Sequence, residues 1–180
     1  MSLQKSLTTE VLPTIVKEFA IANPMAAPRI EKIVVTAGIG NRFRETKDVD
    51  SVEELLAKAT GQKPVLRRAK KSVSNFKLRE GMPNALQVTL RRERMWSFLE
   101  RLVNIALPRV RDFRGLPTKF DGRGNFSFGL REANAFPEAE VDDLAKIHGL
   151  GATIVIQNSD NERSFALLSK LGFPFRKKSG

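Results

Sequence analysis

Several serine and lysine residues of this sequence are spaced as in a class of enzymes that use serine as a nucleophile. Ser74 and Lys77, then Ser159-Asp160-Asn161, then Lys178-Ser179-Gly180, stand in the order of the three signatures of penicillin-recognising serine enzymes. That chemistry needs its serine at the start of a helix and its last signature on an inner strand. Ser74 lies in a predicted loop instead, and Lys178 follows the last predicted helix. The order of the signatures fits an acyl-serine hydrolase, but the predicted positions of Ser74 and Lys178 argue against one.

Two pairs of glycines could let the backbone approach a phosphate. Gly38-Ile39-Gly40 follows a predicted strand, but Phe43 stands where a dinucleotide fingerprint has its third glycine, so we expect a turn. Gly122-Arg123-Gly124 lacks both the Lys-Ser/Thr of a phosphate loop and a helix behind it. A turn and an approach of the backbone to RNA phosphate both remain open there.

Metal sites and catalytic bases are not indicated. The single histidine, His148, has neither a nucleophile nor an orienting acid with which to form a triad, so we expect it at the surface or the core boundary. The acidic residues Glu138, Glu140, Asp142 and Asp143 do not have the spacing of a calcium loop and favour a solvated helix start. The absence of cysteine excludes disulfides and thiolate chemistry. We therefore expect no catalysis, no metal and no cofactor.

The excess positive charge lies in the middle of the chain. Residues 1–62 contain 8 basic and 8 acidic side chains, and so do residues 120–180, whereas residues 63–119 contain 15 basic and 4 acidic ones. This middle block accounts for the whole net charge of +11. Such a block is typical of a surface that binds phosphates, although it can also be a solvated face that serves solubility.

Aromatic rings are interleaved with these cations. Phe76 lies among lysines and arginines at a predicted hairpin tip, where it could stack on a base or serve as a buried anchor of the loop. Phe113 lies in a second basic cluster. Arginine predominates, which favours structured RNA because guanidinium groups clamp phosphates and stack on bases. The candidate RNA-binding residues are Arg67, Arg68, Lys70, Lys71, Ser72, Asn75, Phe76, Lys77, Arg79, Arg91, Arg92, Arg94, Arg109, Arg111, Arg114 and Arg123.

Five predicted strands and about four predicted helices position these residues. Alternating apolar residues predict strands over 29–40, 65–69, 86–90, 126–130 and 149–157. Helical spacing predicts helices over 3–21, with a possible break at Pro13, from Asp48 or Ser51 to Gly61, over 94–107 and over 159–171. Loop 70–84 forms the cationic tip of a hairpin. We predict a single α+β domain over 1–180, with a two-layer, mainly antiparallel sheet of about five strands and helices packed on one face.

The apolar patterning gives no sign of a membrane partner. No stretch approaches the roughly 18–20 apolar residues that a membrane helix needs. The N-terminal residues also lack a basic start followed by an apolar run. We therefore expect a cytoplasmic protein.

Eight ordered blocks of residues make the sequence specific enough to compare with a family. The blocks are PRIEKI (28–33), GQKP (61–64), RAKKSVSNFKLREG (68–81), VTLRRERMW (88–96), PRVRDFRGL (108–116), FDGRGN (120–125), FPE (136–138) and FPFRK (173–177). With these blocks in this order, the sequence resembles the bacterial-type large-subunit ribosomal protein number five.

The resemblance implies a structural protein of the large ribosomal subunit that binds 5S ribosomal RNA in the central protuberance and lies beside other large-subunit RNA. It also implies a bridge to small-subunit ribosomal protein thirteen, and contact between loop 72–84 and the elbow of peptidyl-site tRNA. It implies no catalysis. On this interpretation Arg68, Lys70, Lys71 and Lys77 contact phosphates, and the turn 109–115 contacts RNA or a neighbouring protein.

Several residues depart from the family pattern. Thr36 stands where asparagine is common, Arg92 where glycine is usual, and Phe126 where tyrosine is usual. Segment 133–135 and the acidic stretch 138–143 are also unusual, and they bear on the bridge surface more than on the basic loop. A free-standing RNA chaperone with the same charge distribution is the alternative binding function.

Overall fold

A five-stranded antiparallel sheet forms the centre of the molecule. The computed structural model describes residues 3–39, 46–130, 135–139 and 148–176. The strands are β1 (Arg29–Gly38), β2 (Val65–Arg68), β3 (Pro83–Leu90), β4 (Phe126–Leu130) and β5 (Leu150–Gln157). Their order across the sheet is β2-β3-β1-β5-β4, and every neighbouring pair is antiparallel. All five predicted strands are confirmed, and β3 begins three residues earlier than predicted.

Within the described residues, four helices longer than one 3₁₀ turn accompany the sheet. Helix α1 consists of Leu3–Ser6, a π turn over Leu7–Val11, and Leu12–Glu18. Helix α2 is Thr46–Thr60. Helix α3 consists of Arg92–Arg101, a π turn over Leu102–Ala106, and Leu107–Arg109. Helix α4 is Asn161–Lys170. Within the described ranges, no helix has the length and apolar character needed to cross a membrane.

The two π turns each precede a proline. Pro13 follows the π turn of α1, and Pro108 follows that of α3. Proline has no N–H and its ring clashes with the carbonyl four residues earlier, and a widened turn relieves both problems. The break expected at Pro13 is thus a π turn, and α3 continues through Pro108 to Arg109 instead of ending at residue 107.

Helix α2 begins earlier than predicted. We expected Asp48 or Ser51 to cap it, but both lie inside the helix, so that prediction is wrong. Val49 and Val52 are buried, and they extend the apolar face toward the N-terminus. The predicted end is confirmed: Gly61 has φ +70° and its N–H donates to the Ala57 carbonyl at 2.8 Å.

The core lies between one face of the sheet and the helices. Ile33, Val35 and Ala37 of β1 are buried, and the residues between them are half-exposed. The helices contribute buried side chains such as Phe98 and Leu167. Because only one face of the sheet carries the core, the predicted two-layer α+β arrangement is confirmed and the second sheet face remains accessible.

Candidate nucleic-acid interface

The accessible face of the sheet carries short polar side chains in rows. Val34 lies opposite Thr89 on β3 and Thr153 on β5, and Thr36 lies opposite Gln87. Residues that pair across antiparallel strands share a face. The open face, as we call it, consists of Arg29, Lys32, Val34, Thr36, Val65, Arg67, Gln87, Thr89, Ser127, Thr153, Val155 and Gln157. Its polar side chains offer hydrogen bonds across the face.

The open face is cationic. Arg29, Lys32 and Arg67 project from it, and Glu31, which lies at a bulge in β1, is the one acidic residue in the five strands. Glu31 accepts a hydrogen bond from Arg91 at 3.0 Å and lies 3.7 Å from Lys32. The Arg91 hydrogen bond holds the pKa of the Glu31 carboxyl below its usual range, so this residue stays ionised at neutral pH.

Glutamine oxygens orient three arginines at or beside the open face. Arg67 donates to Gln87 Oε1 at 2.7 Å, and Arg29 donates to Gln157 Oε1 through Nε and one terminal nitrogen, at 3.0 and 2.9 Å. Arg94 donates to Gln62 Oε1 at 3.2 Å. A neutral amide oxygen fixes a guanidinium without cancelling its charge, so these arginines remain available to an anion.

The connection between β2 and β3 is an ordered hairpin, which confirms the predicted cationic tip. We call residues 67–82 the basic hairpin. Ala69 and Gly81 extend its ladder, with N–H···O distances of 2.9 Å from Ala69 to Met82 and 3.0 Å from Gly81 to Ala69. Val73 and Leu78 form a further bridge around the 3₁₀ turn Ser74–Phe76. The backbone of the tip is therefore held by hydrogen bonds along its length.

The side chains of the basic hairpin face solvent. Phe76 is 70% exposed, so its interpretation as a buried anchor is wrong. Lys70, Lys71 and Arg79 are exposed, and none of them takes part in an ion pair with another described residue. Arg68 instead donates to the Gly81 carbonyl at 3.0 Å. An exposed ring among such cations has the composition of a surface that stacks on bases and neutralises phosphates.

Two polar residues predicted to bind RNA lie at the hairpin tip in different roles. Ser72 Oγ accepts a hydrogen bond from the Glu80 N–H at 3.0 Å, which closes the hairpin. Asn75 lies in the exposed 3₁₀ turn, and the backbone of Lys77 then adopts φ +50°. Both Asn75 and Lys77 are exposed at this end of the molecule.

The other predicted site residues lie in three different places. Arg91, Arg92 and Arg94 follow the far end of β3, whose 8 residues span roughly 25 Å. A second group, Arg109, Arg111 and Arg114, follows α3. Arg123 precedes β4, at the opposite edge of the sheet from β2. The structure thus places nine of the predicted residues in the basic hairpin and distributes the remaining seven.

The turn at 109–115 is fixed to the end of the described chain. Leu116 donates its N–H to the Pro174 carbonyl at 2.8 Å and accepts from the Arg176 N–H at 2.9 Å. Gly115 has φ +91°, and a Cβ there would lie 2.8 Å from the Arg176 nitrogen. Backbone hydrogen bonds to segment 174–176 therefore hold the end of the turn that carries these arginines.

The Gly122-Arg123-Gly124 segment is a turn and does not offer its amides to phosphate. The N–H groups of Gly122 and Gly124 both donate to Asn161 Oδ1, each at 3.2 Å. Asp121 accepts from the N–H groups of Arg123 and Asn125 at 2.8 and 2.9 Å. The hydrogen bond from the Asn125 side chain is the largest cause that lowers the pKa of the Asp121 carboxyl, and backbone hydrogen bonds lower this pKa further. Since these amides already have acceptors, approach of RNA phosphate to them is not supported.

The residues that suggested enzyme chemistry are dispersed. Ser74 lies in the exposed 3₁₀ turn of the hairpin, and Asp160 caps α4 by accepting from the Arg163 N–H at 2.9 Å. His148 is buried, not superficial, with Nε2 2.6 Å from the Gly38 carbonyl oxygen. Lys178, Ser179, Gly180, Gly40, Phe43, Glu140, Asp142 and Asp143 lie outside the described residues. No group of three or more metal-ligating residues occurs in the part of the chain that the structure describes.

Sequence reasoning missed the polar half of the sheet. Arg29, Gln87, Thr89, Thr153 and Gln157 were not candidates, because strands were identified from their apolar residues. The signal was present in the same alternation. A strand with one buried face presents every second residue to the outside, and here those residues are polar or cationic.

Comparisons with known proteins identify the family of this chain. A family profile described as ribosomal protein L5 matches residues 23–79, and a profile for the C-terminus of the same ribosomal protein family matches residues 83–175. The large ribosomal subunit protein uL5 of Roseiflexus castenholzii is 50% identical over 175 residues, which cover 97% of each chain. The protein of that name from Thermus thermophilus is 48% identical over 178 residues, 98% of each chain. This chain therefore belongs to the ribosomal protein L5 family, a family of structural ribosomal proteins and not of enzymes.

Proposed function

We propose that this structural constituent of the large ribosomal subunit binds 5S ribosomal RNA through its open face and its basic hairpin. The observation that carries the proposal is a polar sheet face with three projecting cations and one acidic residue, continuous at Arg67 with a hairpin whose cations are exposed. Membership of a ribosomal protein family supports RNA as the partner of this surface. Residues at the turn 109–115 and Arg123 are proposed to contact neighbouring RNA of the large subunit.

The open face suits the shape of an RNA helix or a structured loop. A-form RNA presents a wide, shallow minor groove lined with 2′-hydroxyls, and these accept and donate hydrogen bonds. Thr36, Thr89, Thr153 and Ser127 place hydroxyls across the face, and Arg67 lies among them at its edge. Short side chains let RNA approach the sheet, while the arginines bind its phosphates.

We propose that the tip of the basic hairpin contacts peptidyl-site tRNA. The tip projects past the end of β2, so RNA lying on the open face leaves room for a second RNA at the tip. Phe76 supplies a ring 70% exposed and Lys70 and Lys71 supply charge. Rings and cations of this kind bind an RNA surface without needing a particular sequence.

A bridge to small-subunit ribosomal protein thirteen completes the proposal. The family resemblance implies it, and the unusual acidic stretch 138–143 bears on that surface. Within this stretch Glu138 is described, and its carboxylate pairs with Arg101 at 3.1 Å. A hydrogen bond from its own backbone amide is the largest cause that lowers the pKa of the Glu138 carboxyl, and Arg101 lowers it further. Glu138 is therefore ionised at neutral pH.

The test compares RNA affinity over a range of salt concentrations. The purified protein is expected to bind 5S RNA in preference to tRNA or to a random duplex at moderate salt. The slope of log affinity against log salt concentration is negative. Replacing Lys70, Lys71 and Arg79 with glutamine is expected to reduce the magnitude of this slope by about 0.9 for each lost phosphate contact. Replacing Lys5, Lys17 and Lys58, which lie on helices, removes the same charge and is expected to change the slope much less.

Two results would contradict the proposal. Equal affinity for all three RNAs would leave the free-standing RNA chaperone as the better interpretation, and co-sedimentation with large subunits in high-salt gradients separates the two functions. Equal slopes for the hairpin and helix variants would show that the charge acts through the whole molecule and not through the hairpin.

A further inference from the structure

Two hydrogen-bonded pairs of side chains, Arg29 with Gln157 and Arg91 with Glu31, form a cluster at one end of the open face. Arg29 donates to Gln157 Oε1 through two nitrogens, at 3.0 and 2.9 Å. On the same strand as Arg29, Glu31 accepts from Arg91 at 3.0 Å, and its pKa is lowered first by that hydrogen bond and further by Lys32 and Gln157. The cluster joins the start of β1, the end of β5 and the residue after β3, so it crosses three neighbouring strands.

In both pairs of the cluster the arginine donates and a side-chain oxygen accepts. Gln157 Oε1 receives both Arg29 hydrogen bonds, so the neutral amide holds the guanidinium without cancelling its charge. Glu31 in turn holds one terminal nitrogen of Arg91. Each guanidinium has five N–H donors, so both arginines retain donors beyond those used in the cluster.

The cluster keeps a net positive charge. Arg29, Arg91 and the adjacent Lys32 are set against the single carboxylate of Glu31, which lies 3.7 Å from the Lys32 ammonium. The Arg91 side chain is 52% exposed and that of Glu31 is 27% exposed. The cations are thus outermost and the groups that hold them are further in, as expected for a surface prepared to receive an anion.

We propose that Arg29 and Arg91 form a further phosphate-binding site for RNA, and that Gln157 and Glu31 are positioning residues that hold the two guanidinium groups. This inference rests on the proposed function, because it assigns phosphates at a defined place on the open face. It assigns Arg29 of the open face to a phosphate and gives a role to Glu31, the one carboxylate in the five strands. Preformed hydrogen bonds reduce the freedom that long arginine side chains lose on binding.

Glu31 provides a test in which two explanations predict opposite signs. Removing a carboxylate close to bound phosphates strengthens binding if only charge matters. If Glu31 positions Arg91, Glu31→Leu weakens binding of 5S RNA instead, by about two- to fivefold. Glu31→Gln retains an oxygen acceptor and is expected to keep most of the affinity. Glu80→Gln, in the basic hairpin, removes a charge that makes no ion pair with another described residue, and is expected to strengthen binding.

Gln157 is tested through a double-mutant cycle, because its replacement changes no charge. Gln157→Leu is expected to weaken binding by about two- to fivefold in the native background and to have no effect when Arg29→Gln is already present. Arg29→Gln alone is expected to lower the salt slope by about 0.7 to 0.9. A general effect of Gln157→Leu on folding would weaken binding in both backgrounds, and thermal unfolding of each variant measures that effect directly.

Tighter binding by Glu31→Leu, or equal losses from Gln157→Leu in the two backgrounds, would overturn the inference. Should Glu31→Leu fail to fold, the Gln157 cycle decides alone. These outcomes differ from failure of the proposed function, which would appear as an absence of preference for 5S RNA in the native protein.

Discussion

A substitution pair at Gly122 and Gly124 tests the structure of the turn before β4. Both glycines have positive φ, +87° and +79°, so alanine is strained at either position, by about 1–2 kcal/mol. Their surroundings differ. A Cβ at Gly122 would meet nothing within 4 Å, whereas one at Gly124 would lie 2.7 Å from Ser164 Oγ and 3.0 Å from the Asp160 carbonyl oxygen.

The neighbours of Gly124 cannot move away easily. Ser164 is fully buried and its Oγ lies 2.7 Å from Ser159 Oγ, and Asp160 is the N-cap of α4. Overpacking of this kind costs about 1–3 kcal/mol. We therefore expect Gly124→Ala to lower the free energy of unfolding by about 2–5 kcal/mol, and Gly122→Ala by about 1–2 kcal/mol.

Equilibrium unfolding in urea measures both variants, and thermal unfolding provides an independent check. Equal losses for the two alanines would refute the close approach of this turn to α4. A Gly122→Ala variant that kept its stability but lost RNA affinity would instead restore the interpretation that these amides approach phosphate.

Three further predictions follow from exposed or strained residues. Phe76→Ala is expected to weaken RNA or tRNA binding by about 1–3 kcal/mol without changing the salt slope, since a ring stacks but carries no charge; unaltered affinity would exclude stacking. Arg92 has φ +52°, a backbone conformation that glycine adopts without strain, so Arg92→Gly is expected to raise the free energy of unfolding by about 0.5–1 kcal/mol in urea titrations, and a decrease would contradict the strain. The folded-state pKa of Asp121 is lowered, so its contribution to stability is present above its ordinary pKa and is lost as the pH falls through the lower folded value. Asp121→Asn is therefore expected to show a smaller loss of stability than the native protein between neutral pH and pH about 3, measured by thermal unfolding, and an identical pH profile would contradict this role.

The sequence was informative where local pattern determines structure. Alternation in 29–40 and 149–157 predicted β1 and β5, and the cations at 67–79 predicted the charged tip of the hairpin. It was less informative where a distant partner decides. Ser51 has the spacing of a helix cap, yet α2 extends past it to Thr46, since Val49 and Val52 pack into the core.

The candidate site shows the same division. The charge of Arg67 and Arg91 was evident from the sequence, but their acceptors, Gln87 and Glu31, are 20 and 60 residues away along the chain. Phe76 is another example, because the sequence could not distinguish an anchor from an exposed ring. The order of the strands brings such distant residues together, and a local sequence pattern does not predict this order.

The strand order also sets a sequence of events during synthesis. β1 lies at the centre of the sheet, between β3 and β5, and β5 is made from residues 150–157, more than a hundred residues after β1 begins. A nascent chain can pair β1 with β3 early, but the other edge of β1, with Ile33 and Val35 beside it, stays unpaired until β5 has been made. A chain truncated before β5 is therefore expected to expose an unpaired apolar strand and to aggregate.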